Sequence, residues 1–199
     1  MFRNSWILIL TFVLSAFVEV AAQGRPQFTV VLYNDAGIPE RVVNKAKAIT
    51  ENIYRDAGVE LVWKNRAGSV PGGTEFFLRI VPRSLSLPGE DFGIAFVGSD
   101  GRGVQADVFY SGIDRMAKDS SVSPAEIMGH VMAHELGHLL LGMNSHSPLG
   151  IMQSRWSARQ LRQMSMGTLK FDKWQSGIIG SRLLRAHDMH QVEAELRAY

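Results

Sequence analysis

The 199-residue sequence contains no cysteine. This absence excludes disulfide frameworks, thiolate metal sites and thiol nucleophiles, so any bound metal must be held by nitrogen and oxygen ligands. A strong charge of one sign is also lacking, since 21 Lys and Arg against 19 Asp and Glu leave a formal net charge of +2. No basic run is long enough to follow a phosphate backbone, and we therefore expect no nucleic-acid partner.

Long hydrophobic runs are absent beyond the first segment of the chain. Residues 1–22 carry an early positive charge at Arg3, an apolar run over 6–18, and small residues at Ala21 and Ala22. This order is typical of a secretion signal, and the run is shorter than the roughly 20 residues of a membrane-spanning helix. We predict cleavage after Ala22 and a secreted or periplasmic protein with no membrane partner; an uncleaved anchor is the alternative.

The remaining residues, 23–199, suit one domain with a substantial core. A content of 46% hydrophobic and 20% charged residues is that of an ordinary globular protein. No internal repeat and no linker interrupts the segment, so we expect a single domain and a monomer.

Five β-rich runs and one helical run come first in this domain. The helical run opens at Pro39 and ends at Gly58, with apolar residues at helical spacing. A Gly/Pro-rich loop is predicted at 67–73, and a turn at 98–101 joins the last two strands. The strands are predicted at 27–33, 59–63, 74–81, 93–97 and 104–110. This order indicates a mixed α/β (α+β) fold.

A second helix has a clear beginning and end. Ser123 is a good N-cap residue, Pro124 suits the first helical position, and Glu126 completes a capping box. Gly142 can adopt the left-handed conformation that ends helices. We predict a helix between Ser123 and Gly142.

The C-terminal half of this helix reads His134-Glu135-Leu136-Gly137-His138. Two histidines four residues apart lie about 40° apart around a helix, so both imidazoles project toward one point. This is a two-nitrogen platform for Zn²⁺, and Glu135 beside it has the position of a general base. A pair of ordinary packing histidines is the alternative.

A third ligand is needed, because catalytic zinc takes three protein ligands. His146 is the candidate, since Gly142 lets the chain turn back toward the metal; Glu193 on a later helix is a weaker alternative. His130 is expected to pack in the core or support a ligand. His187 and His190 are expected on a solvated helix face. Three imidazoles suit zinc, although copper, nickel or iron also accept them.

The stretch HELGHLLLGMNSHSPLGIM, residues 134–152, resembles the zinc-binding motif and Met-turn of the metzincin metallopeptidases, nearest their matrixin branch. The resemblance implies one catalytic Zn²⁺ on His134, His138 and His146, Glu135 as general base, and Met152 as the Met-turn residue beneath the metal. It also implies a zincin fold. Such a fold has a twisted, mixed five-stranded sheet with an antiparallel edge strand, a backing helix, an active-site helix and C-terminal helices.

The segment 93–110 is similar to the matrixin edge strand and the strand after it, which implies that an extended peptide pairs with residues 93–97. The chain departs from the family pattern in two respects. The loop before His146 is two residues longer, so that Asn144 occupies the usual third-ligand position. No His precedes His130, so the additional structural zinc of matrixins is not expected.

A further capping box is present at Ser157 and Gln160, and it predicts a helix after the Met-turn. Trp156 is expected to pack under that turn or to wall a specificity pocket. The sequence therefore predicts a secreted zinc-dependent endopeptidase that hydrolyses peptide bonds. A non-catalytic zinc-binding module and a zinc amidase acting on a non-protein substrate are the alternatives.

Overall fold

The structure is a computed structural model that describes residues 24–64, 74–83 and 92–197. The predicted secretion signal at 1–22 and the predicted loop at 67–73 lie outside the described residues. The strands are β1 (Gln27–Asn34), β2 (Glu60–Lys64), β3 (Thr74–Val81), β4 (Gly93–Ala95) and β5 (Gln105–Phe109). The helices are α1 (Glu40–Asp56), α2 (Tyr110–Lys118), α3 (Pro124–Leu141), α4 (Ala158–Ser165) and α5 (Lys173–Arg197).

The five strands form one mixed sheet in the order β2-β1-β3-β5-β4. The pairs β1–β2, β1–β3 and β3–β5 are parallel, whereas β4 pairs antiparallel with β5 at the sheet edge. Alternate residues of β3, Phe76, Leu78 and Ile80, are buried, which is the period of a strand that covers a core with one face. The predicted mixed sheet with an antiparallel edge strand is confirmed.

Helix α3 runs through the centre of the domain and contacts three strands and all four other helices. Its predicted start is confirmed: the Ser123 backbone N–H donates to Glu126 Oε2 at 2.9 Å, and the Glu126 N–H donates to Ser123 Oγ at 3.3 Å. Almost every residue of the helix is buried. A helix that is apolar all round belongs in a core, so α3 is a rigid platform for the side chains it carries.

The backing helix α1 lies close against α3. A Cβ on Gly129 would come within 2.8 Å of the Ala46 carbonyl oxygen, so only glycine permits this approach of the two helices. The buried Tyr54 hydroxyl donates to the Ala133 carbonyl at 2.9 Å, one residue before His134. These contacts fix the position of α3 relative to α1.

Two expectations about the middle of the chain need correction. Helix α2 was not predicted, and the strand expected over 104–110 ends at Phe109, where the chain passes directly into the helix. Helix α2 has only nine residues and no side-chain N-cap, so no capping residue marks its beginning in the sequence. The edge strand expected over 93–97 is shorter, Gly93–Ala95, although the Phe96 N–H still donates to the Gln105 carbonyl at 3.0 Å.

The predicted C-terminal helices are present as α4 and α5. The capping box of α4 forms, with the Ser157 N–H donating to Gln160 Oε1 at 3.1 Å. Within the described residues, no helix combines the length and the apolar character needed to cross a membrane.

Candidate metal centre

Three histidines converge above the C-terminal half of α3. His134 and His138 lie on successive turns of the helix, and His146 lies on the loop that follows it. One ring nitrogen of each lies within 4.8 Å of the corresponding nitrogens of the other two. In the part of the chain that the structure describes, this is the one cluster of three or more side chains suited to hold a metal ion. The structure thus brings the three predicted ligands together.

Backbone carbonyls orient both helical histidines. His134 Nδ1 lies 2.8 Å from the Ile151 carbonyl oxygen, and His138 Nδ1 lies 2.8 Å from that of Met143. A carbonyl oxygen only accepts hydrogen bonds, so each Nδ1 must carry the hydrogen and donate it. Each neutral ring therefore presents an unprotonated Nε2. Metal-binding histidines in proteins are oriented by the same kind of contact.

The two Nε2 atoms face each other at 3.0 Å. Because both Nδ1 atoms are protonated, neither Nε2 of the neutral rings has a hydrogen to donate, and two lone pairs point toward one another. Such an arrangement is unfavourable unless a cation lies between them. Burial lowers the pKa of His134 to about 3 and also lowers that of His138, which disfavours a proton as that cation. The donor set fits a metal ion with imidazole ligands, and it fits zinc in particular.

The third histidine is reached through a left-handed turn. Gly142 ends α3 with φ 65° and ψ 35°, as the sequence predicts, and its N–H donates to the His138 carbonyl at 2.9 Å. His146 then stacks on His134 with ring centroids 5.3 Å apart and stands edge-on to His138 at 5.0 Å. Asn144, at the usual third-ligand position, instead donates its Nδ2 to the Val97 carbonyl at 3.3 Å.

Met152 packs against α3 at Gly137, and its predicted position beneath the metal stays a prediction. A Cβ on Gly137 would come within 2.7 Å of Met152 Sδ and 2.9 Å of a Phe171 ring carbon. The glycine between the two ligating positions therefore makes room for the methionine. Both Met152 and the preceding Ile151 are buried, and the Ile151 carbonyl is the one that orients His134.

Trp156 connects this turn to the wall of the site. Its indole Nε1 donates to the Ile151 carbonyl at 3.3 Å, and its ring stands edge-on to His134 at 5.7 Å. The same ring stacks on Phe92, with centroids 6.2 Å apart. Trp156 thus packs against the turn at Ile151 and lines the cavity, while a role of the cavity in specificity stays a prediction.

The histidines and Glu135 line one open cavity of about 930 Å³. Glu135 is only 5% exposed, so its carboxyl group reaches the cavity from within the fold. Edge strand β4 forms one side, and the unpredicted helix α2 forms another through Arg115 and Met116. Sequence reasoning missed the residues of α2 because nothing in their local pattern connects them with the distant histidine motif.

The other histidines take no part in the cluster. His130 is buried, and its Nδ1 lies 2.7 Å from the Glu126 carbonyl oxygen within the same helix. His187 and His190 are exposed on α5, and His190 Nδ1 lies 4.0 Å from Glu193 Oε2. Glu193, the alternative third ligand, is likewise exposed and lies outside the three-histidine cluster.

Comparison with solved structures supports the fold that the sequence predicts. No protein-family model matches the sequence, and no curated protein matches it either. Among solved structures, the archaemetzincin from Methanopyrus kandleri matches with a TM-score of 0.51 and 16% identity, over 81% of this chain and 97% of the archaemetzincin. The chain has a metzincin-like fold. This confirms the fold predicted from the resemblance of residues 134–152, while the match does not single out the matrixin branch.

Two further structures align less well. A zinc-dependent peptidase from Methanocorpusculum labreanum is 14% identical over 75% of this chain and 99% of its own, with a TM-score of 0.46. The metalloproteinase-II from Bacteroides fragilis is 15% identical over 75% of this chain and 55% of its own, with a TM-score of 0.42.

Proposed function

We propose that this metzincin-like chain is a zinc-dependent endopeptidase. The observation that carries the proposal is that the Nε2 atoms of His134 and His138 face each other at 3.0 Å while backbone carbonyls lie within hydrogen-bond distance of both Nδ1 atoms. His146 would complete a set of three ligands, and the cavity leaves one side of that set open. Open coordination distinguishes a catalytic zinc site from a structural one.

Glu135 would act as the general base. It follows the first ligand on α3, is buried, and lines the same cavity as the three histidines. Zinc, when bound, would polarise the scissile carbonyl and make a water molecule acidic enough to attack near neutral pH. Glu135 would accept a proton from that water and pass it to the leaving amine. General acid–base catalysis of this kind typically contributes about 10²- to 10⁴-fold to the rate.

The edge strand β4 would hold the substrate. Its antiparallel partner β5 covers one side, and no other strand among the described residues pairs with the other side, which lies along the cavity. An extended peptide can add to such an edge as a further strand, and its scissile bond would then lie beside the histidines. This favours a peptide substrate over a small non-protein amide.

The test is cleavage of a diverse peptide library by the zinc-loaded chain and by its Glu135→Gln variant. We expect the variant to keep one zinc per chain and to lose about 10²- to 10⁴-fold in rate, because only the proton acceptor is removed. His134→Ala is the matched control and should lose both zinc and cleavage. Equal turnover by Glu135→Gln would refute the role of Glu135.

The alternatives give different results in the same assay. Zinc binding without cleavage of any peptide would indicate the non-catalytic zinc-binding module, and hydrolysis confined to non-peptide amides would indicate the amidase. Export through residues 1–22 belongs to the proposal as well. N-terminal sequencing of the exported protein should find Gln23 as the first residue.

A further inference from the structure

Gly93 on the edge strand lies against the side chain of Glu135. A Cβ placed on Gly93 would come within 2.6 Å of Glu135 Oε1, 2.7 Å of its Cγ and 2.8 Å of the Asp107 carbonyl oxygen. Real Cβ atoms do not approach other heavy atoms this closely. Gly93 is not among the glycines with positive φ, so its backbone conformation is open to other residues. Glycine is required here for space and not for backbone conformation.

The backbone N–H and C=O groups of Gly93 point away from β5, toward the open edge of the sheet. The Phe109 N–H donates to the Phe92 carbonyl at 2.7 Å, and the Phe96 N–H donates to the Gln105 carbonyl at 3.0 Å. Backbone groups alternate in direction along an antiparallel strand, so those of Phe92, Ile94 and Phe96 point toward β5. Those of Gly93 and Ala95 therefore point outward from the open edge, where a peptide strand would pair.

Side chains alternate in the same way. Ala95 is 7% exposed and packs in the core, so the Cβ direction at position 93 is also inward, toward α3. The outward-facing backbone groups of Gly93 would therefore pair with a bound peptide, while the Glu135 carboxylate occupies the space where a Cβ of residue 93 would lie.

We infer that Gly93 is a positioning residue for the reaction. Its missing side chain lets the Glu135 carboxylate lie directly behind the backbone that pairs with the substrate. The distance between the proton acceptor and the scissile bond is then set by one strand residue. This inference rests on the proposed function and adds to it the residue that aligns the base.

The first test is the Gly93→Ala variant, assayed with the zinc-loaded chain. The added methyl group must displace the carboxylate, and we expect kcat/KM to fall about 10- to 100-fold, since displacement by about 1 Å can cost 10²-fold. The zinc content should stay at one per chain, because no ligand is touched. Gly98→Ala is the matched control on the same hairpin: its Cβ would meet only the Asp100 side chain at 2.8 Å and a carbonyl at 3.4 Å. We expect that control to keep full activity.

A second measurement does not depend on turnover. With Co²⁺ in place of zinc, the pH at which the visible spectrum changes reports the charge near the metal. Displacement of the Glu135 carboxylate should move this midpoint in Gly93→Ala and leave it unchanged in Gly98→Ala.

If Gly93→Ala lowers stability, a double-mutant cycle with Glu135→Ala, measured by thermal unfolding, still tests the inference. Glu135→Ala removes the Cγ and carboxylate that the new methyl group would meet, while the Asp107 carbonyl remains. The loss in Tm caused by Gly93→Ala should therefore be about 2 to 4 °C smaller in the Glu135→Ala background. Equal losses in both backgrounds would show that Gly93 serves the pairing of β4 with β5 only, and would overturn the inference.

The outcomes separate the inference from the function on which it rests. A wild-type chain that binds zinc and cleaves no peptide refutes the proposed peptidase, and the cobalt midpoint and the unfolding cycle still test Gly93. A wild-type chain and a Gly93→Ala variant that cleave equally well overturn the inference alone.

Discussion

Replacement of Arg182 by methionine should destabilise the fold at the C-terminal end of helix α3. The guanidinium of Arg182 on α5 donates from one nitrogen to the Leu141 carbonyl at 2.6 Å and from the other to the Gly101 carbonyl at 3.1 Å. It thereby joins the C-terminus of α3 to the turn between β4 and β5. Gly142, the first residue of the loop that carries His146, lies directly under it.

The cost of this change follows from the two hydrogen bonds. A hydrogen bond from a charged group contributes about 1.5 to 3 kcal/mol, and a cation at a helix C-terminus adds about 0.3 to 1 kcal/mol. Arg182 is half-buried, so water replaces part of each interaction in the variant, and we expect a loss of about 2 to 3 kcal/mol, just below the total of the lower ends of these ranges. In a domain of this size 1 kcal/mol corresponds to about 2 to 4 °C, so Tm should fall by about 4 to 12 °C.

Thermal unfolding of the zinc-free chain measures this loss directly. Arg182→Lys is the matched control: it keeps the charge and reaches one carbonyl at a time, so its Tm should lie between those of the wild type and Arg182→Met. Zinc affinity, measured by competition with a chelator, should also fall in Arg182→Met because the loop to His146 loses its anchor. A Tm within 1 °C of the wild type, that is, a loss of at most about 0.5 kcal/mol, would refute the reasoning.

Two further predictions concern stability. In α5, the variants Gly177→Ala and Gly180→Ala should each raise the free energy of unfolding by about 0.5 to 1 kcal/mol, because a Cβ at either position meets no atom within 4 Å. Unchanged or lower unfolding midpoints in urea would contradict this prediction. The zinc-free chain should lose stability as the pH falls below about 6.5, because burial lowers the pKa of His134 to about 3 and lowers that of His130, so the unfolded chain binds more protons. Urea unfolding in the presence of a chelator at pH 7.5 and at pH 5.5 tests this pH dependence. Equal unfolding midpoints at the two pH values would show that the histidines are protonated as readily in the folded chain as in the unfolded chain.

Elements whose ends are marked by local chemistry were predictable from the sequence. Strand β3 was predicted with its observed bounds, and α3 begins after Ser123 and ends before Gly142 as the capping residues indicate. Helix α2 was not predictable in the same way, because it follows β5 without a cap and is held by packing against α3. Its nine residues are amphipathic, with Gly112 and Ile113 buried, but a helix this short with no capping side chain is stabilised mainly by its tertiary contacts.

The candidate site also has a part that local sequence patterns predict and a part that they do not. The side chains of His134, Glu135 and His138 follow from helix spacing, since residues four apart share a face. The groups that orient the two histidines could not be predicted from the sequence. They are the backbone carbonyls of Ile151 and Met143, and any residue at those positions has a carbonyl. The space that Gly93 leaves for Glu135 depends on how β4 packs against α3, which spacing within either element does not reveal.

The longer loop before His146 shows why residue count alone misleads at this site. Counting from the family pattern puts Asn144 at the third-ligand position, yet the left-handed turn at Gly142 directs Asn144 toward the Val97 carbonyl and carries His146 over the other two rings. Both backbone groups of Met143 are paired within the turn: its N–H donates to the His138 carbonyl at 3.2 Å, and its carbonyl accepts from His138 Nδ1. The longer loop therefore still contains, at Met143, the acceptor that orients His138. Loop length can vary at such a site as long as the turn after the helix returns an imidazole to the same point.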